Sequence, residues 1–126
     1  MNKDNNTKII ELEDLIAETE QKILNNEYYE DCEVPYKDAV IKVRIKPISQ
    51  AEIVKISQNR QALKSAEFNS LILQKCIINK HDDKPFTLEQ INKLFTGGLA
   101  AVLVLKCLEV SGISPNEREQ EKLMDF

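Results

Sequence analysis

The chain has 126 residues, 42% of them hydrophobic and 30% charged, which is the size and balance of one globular domain around one core. Three Gly and four Pro exclude collagenous and low-complexity designs, and no apolar run approaches the roughly 20 residues that span a bilayer. The net charge of −4 is unevenly spread: residues 1–34 carry three basic and ten acidic groups, residues 35–84 ten and five, and residues 85–126 four and six.

The polar start MNKDNNTK lacks the hydrophobic region of a signal peptide, so a cytoplasmic protein is expected. Next, Thr7 is placed to cap a helix over 8–24, in which Ile9, Leu12, Ile16 and Ile23 form one stripe with Thr19 in the missing step. Two heptads favour packing on the body of the domain over a coiled coil. A hairpin is predicted over about 30–46, because Val40, Ile41, Val43 and Ile45 alternate with Lys42, Arg44 and Lys46. Its turn falls near Tyr36, Lys37 and Asp38, Pro35 confines the first strand to an edge or a strand end, and a third strand can be added.

Ser49 and Glu52 form a capping box that starts a helix at Gln50. Its face of Ile53, Ile56 and Leu63 is followed by a second apolar run from Phe68 to Ile78, as one bent helix or two. After the loop NKHDDKP, Thr87 and Gln90 make another capping box for LEQINKLF. Gly97 and Gly98 then read as a break with left-handed geometry. Beyond them LAAVLVLKCLEV is apolar except at Lys106 and Glu109, and is either the buried centre of the domain or a protein interface. Ser111 and Gly112 stop it, and Ser114, Pro115 and Glu117 start a charged helix over 115–125. The expected fold is a single α+β domain over 1–126, mostly helical, with four or five helices and a small antiparallel β-hairpin: the acidic N-terminal helix, the hairpin, a helical body over 50–111 and the charged C-terminal helix.

No constellation of catalytic residues emerges. The sole histidine, His81, stands beside Asp82 and Asp83 in a predicted loop without the further ligands that a metal needs. Cys32, Cys76 and Cys107 form no CxxC pair and read as reduced thiols, the latter two in apolar helices. Neither a Walker loop nor a dinucleotide fingerprint surrounds Gly97 and Gly98. The lysines of the basic middle alternate with apolar residues and lack interleaved aromatics, which reads as a solvated strand face. The chain is therefore expected to be no enzyme, with no cofactor, no metal and no nucleic-acid or membrane partner.

The order of parts resembles the tail assembly chaperones of long-tailed phages and prophages of Gram-positive bacteria. The strand AVIKVRIKPIS runs directly into AEIVKI on a helix, and SLILQKCIIN leads through a proline-containing loop to LFTGGLAAVLVLKCLEVSGI. The family's leucine-phenylalanine-x-glycine step, apolar helix and Ser-Gly-apolar ending are matched by Leu94, Phe95, Gly97, Ser111, Gly112 and Ile113. The similarity covers residues 38–113, and the acidic first helix and charged tail depart from it.

The resemblance implies a non-enzymatic protein of the host cytoplasm that binds and solubilises the tape measure protein and assists tail tube assembly. Its partners would be the tape measure protein and the tail tube protein, with homo-oligomers also open. On that reading the protein-binding residues are Leu99, Val102, Leu103 and Leu105, together with Leu123, Met124 and Phe126. The alternative is a structural tail completion or connector component retained in the virion.

Overall fold

The computed structural model describes residues 8–59 and 65–113. In chain order they form α1 (Leu12–Leu24), β1 (Glu30–Tyr36), β2 (Ala39–Ile45), α2 (Gln50–Asn59), α3 (Ser65–Cys76), β3 (Ile77–Asn79), β4 (Lys84–Pro85), α4 (Leu88–Leu94) and α5 (Gly97–Val110). This is an α+β fold, as expected. The strands make one antiparallel sheet in the order β1-β2-β3-β4.

The hairpin closes on Lys37, at a left-handed φ of 56°, with Tyr36 opposite Ala39 and Cys32 opposite Val43. Strand alternation sends Cys32, Val34, Val43 and Ile45 to the inner face. The outer face carries Asp31, Glu33, Lys42 and Arg44. β3 pairs with β2 only at Arg44 and Ile45, and Lys46 N–H donates to Cys76 O at 2.8 Å. Antiparallel alternation therefore points the N–H and C=O of Val40 and Lys42 toward the same side as those of Arg44, along a stretch of β2 that pairs with no strand there among the described residues. On β1, Pro35 has its missing donor on the side away from β2, the edge position that sequence reasoning assigned to it.

The core lies between the inner face and the helices. α5 supplies Leu103, Val104, Cys107 and Leu108, α3 supplies Ile72, Leu73 and Cys76, and the sheet supplies Ile45 and Ile77, all buried. Ser111 fastens the far end of α5: its hydroxyl accepts from Ile48 N–H at 2.9 Å and donates to Cys107 O at 2.8 Å. Both expected capping boxes are present. Ser49 Oγ accepts from Glu52 N–H and Glu52 reaches back to Ser49 N–H, while Thr87 and Gln90 do the same for α4.

Four expectations need correction or bounding. The first helix does not pack on the body: no residue of α1 is buried, and Leu12, Ile16 and Ile23 are 64%, 52% and 56% exposed. The inner face is already covered by the later helices, and the α1 stripe is interrupted by Thr19, whose hydroxyl turns back to Leu15 O. The second apolar run does not stay helical to Ile78, because pairing with β2 and β4 draws Ile77–Asn79 into a strand. Gly97 and Gly98 are not left-handed. They open α5, and Thr96 is its N-cap, accepting from Leu99 N–H at 3.1 Å. The expected cap Thr7 and the C-terminal helix over 115–125 lie outside the described residues.

Candidate functional site

A groove with a volume of about 300 Å³ opens beside the unpaired stretch of β2. Ile41 and Val43 of β2 line it together with Phe86, Phe95, Leu99 and Leu103 from α4's flanks and α5, and with Ile77 and Ile78 of β3. Several local features build this wall. Phe86 and Ile91 occupy the N′ and N4 positions of α4, the pair that a hydrophobic staple uses. Phe95 is the C-cap of the same short helix, so the two rings meet edge to face with centroids 5.4 Å apart. The Tyr36 hydroxyl is hydrogen-bonded to Thr96 Oγ1 at 2.8 Å, which ties the hairpin tip to the start of α5. At twice the ~150 Å³ of a cavity that accepts benzene, the groove has room for the apolar tips of two large side chains.

The polar lining is one-sided in charge: Lys42, Arg44, Lys80, His81 and Asn79, with no acidic residue among the described residues. Arg44 is already engaged. Its guanidinium grips Asp31 with two bonds, at 2.9 and 3.3 Å, reaches Asp83 at 3.4 Å, and lies 4.1 Å from the centroid of the Tyr29 ring. The Asp31 carboxyl is held below its ordinary value, mainly by its hydrogen bonds to Arg44, and Arg44 is correspondingly raised. Lys42 and Lys80 have no carboxylate within ion-pair distance among the described residues.

Of the residues expected to bind protein, Leu99 and Leu103 line this groove. Val102 and Leu105 are half-buried against the core, so the α5 helix is the centre of the domain and only its N-terminal half reaches the groove. Leu123, Met124 and Phe126 lie outside the described residues. Ile41, Val43, Phe86 and Phe95 went unnoticed as site residues. The aromatic pair bracketing a seven-residue helix was the available signal.

His81 sits in the β3–β4 loop, exposed, and its backbone N–H donates to Asn79 Oδ1 at 3.0 Å. Among the described residues no group of three His, Cys, Asp or Glu is placed to hold a metal, and no helix is long and apolar enough to cross a membrane. The three cysteines are free and buried. A hydrogen bond with Cys76, then burial, pushes the Cys107 thiol far up, and burial raises Cys32. Such thiols are poor nucleophiles.

Neither a family model, nor a curated protein, nor a solved structure matches the chain significantly.

Proposed function

We propose that the chain is a non-enzymatic tail assembly chaperone that binds and solubilises the tape measure protein while the tail tube assembles. The apolar groove walled by Phe86, Phe95, Leu99 and Leu103 carries this reading. An open apolar groove receives side chains projecting at i, i+3 and i+4 from a client helix, and its cationic lining favours clients whose apolar stripe is flanked by acidic residues. The resemblance implies a client, the tape measure protein, that is very long and helical, and such a client needs cover before assembly. The chain's charged exterior keeps a complex in solution.

Co-expression with the tape measure protein tests this. The wild-type chain should bring the client into the soluble fraction and co-purify with it. Leu99→Asp in a chain of unchanged circular dichroism should lower the recovered complex about tenfold or more, the usual cost of a charge in an apolar contact site. A client equally insoluble with and without the chain overturns the proposal, as does recovery of the chain from purified virions in stoichiometric amount.

A further inference from the structure

We infer that α1 of one copy of this chain docks into the groove of a second copy, making a two-fold dimer in which the acidic helix holds the site that a client would take. The inference rests on the groove being a helix-binding surface, as in the reading above. α1 presents Leu12, Leu15 and Ile16 at helical spacing, each exposed, and a lone helix of 13 residues is marginal without a face to bury.

Charge selects the groove as that face. Residues 8–27 carry two lysines and six acidic groups, whereas the groove lining carries Lys42 and Lys80, neither in an ion pair among the described residues, and no acid. Pairing α1 with α1 would instead bring two segments of net −4 together. Within one copy α1 stands off the groove: its Leu12, Leu15 and Ile16 are exposed even though Tyr29, five residues beyond the helix, lies on Arg44 at the groove's rim. Exchange between two copies is reciprocal and closes, so each α1 and each groove is used once.

The test is the mass of the full chain alone, by sedimentation across concentrations up to about 1 mM at low and high salt. A dimer weakened by salt is expected. Ile16→Asp and the Lys42→Glu, Lys80→Glu double variant should each weaken it about tenfold or more. Both change exposed side chains and leave the fold intact by circular dichroism. An equal mixture of the two variants should recover part of the dimer, because α1 of the lysine variant can enter the intact groove of the Ile16→Asp copy. A monomer throughout overturns the inference, and so does a dimer indifferent to the lysine reversals, which would assign the contact to α1 against α1. Client rescue is read separately, so a monomer that still solubilises the tape measure protein removes the dimer and leaves the chaperone reading standing.

Discussion

Ile16→Ala and Ile45→Ala delete the same atoms from opposite environments, and the contrast measures whether α1 is detached from the core. Ile45 is fully buried, between Glu30 of β1 and Ile77 of β3 in the sheet. Truncating a buried Ile costs about 2–5 kcal/mol through lost transfer energy and residual cavity, and a site hemmed by two strands relaxes poorly, so about 3.5 kcal/mol is expected. With a urea slope of about 1.5 kcal/mol/M for a domain this size, the midpoint should fall by about 2.3 M. Ile16, 52% exposed, loses little burial, and replacing a β-branched residue by Ala improves helix propensity by about 0.4 kcal/mol. Its midpoint should move by less than about 0.3 M either way. Urea unfolding, repeated at two protein concentrations so that association shows as a shifted midpoint, is the assay. A loss of about 2 kcal/mol or more at Ile16 would refute the detached helix, since only a packed side chain carries that much.

Thr96→Ala removes the α5 cap and the bond to Tyr36, and should cost about 1–2 kcal/mol by urea unfolding, with Thr96→Ser retaining most of the stability. Ser111→Ala strands the N–H of the buried Ile48 and should cost about 1–3 kcal/mol, whereas Gly112→Ala, at φ 78°, should lose stability through backbone strain instead. Because the native Asp31 carboxyl lies below its ordinary value, the Arg44 pair stabilises the fold above the unfolded carboxylate range and is lost as pH falls through the native value. Asp31→Asn should therefore flatten the acid limb of the stability curve, and an unchanged limb would separate Asp31 from that transition. Finally, a thiol reagent should label none of the three cysteines at neutral pH until the protein unfolds, as read by mass spectrometry.

The elements that read correctly were those whose signals are local. Ser49 with Glu52 and Thr87 with Gln90 carry their hydrogen bonds within four residues, so sequence spacing alone located two helix starts. The hairpin followed from the near-alternation of apolar and basic residues from Val40 to Lys46. β3 escaped because Ile77 and Ile78 continue the apolar run of α3, and only the neighbouring strand, distant in sequence, converts them. Thr96 was overshadowed by the two glycines after it, although a Thr just before an apolar helix is an N-cap signature. The groove was half legible: Leu99 and Leu103 lay in an obviously apolar helix. Its other wall depends on how Ile41, Val43 and Phe86 converge across three elements, and no spacing encodes that.

The incomplete ladder along β2 also bears on how the protein behaves in a crowded cell. An unpaired strand edge is a template on which further strands add, the first step toward a fibre. Here the two long strands are guarded differently. On β1 the outward edge has Pro35, which supplies no donor, and the acidic Asp31 and Glu33 precede it along the strand. On β2 the open stretch is centred on Lys42, whose ammonium would lose its water if another strand were laid against it. Head-to-tail stacking would match acid to lysine in charge yet meet the proline in every repeat. The sheet leaves a groove open beside β2 without offering its backbone to endless growth.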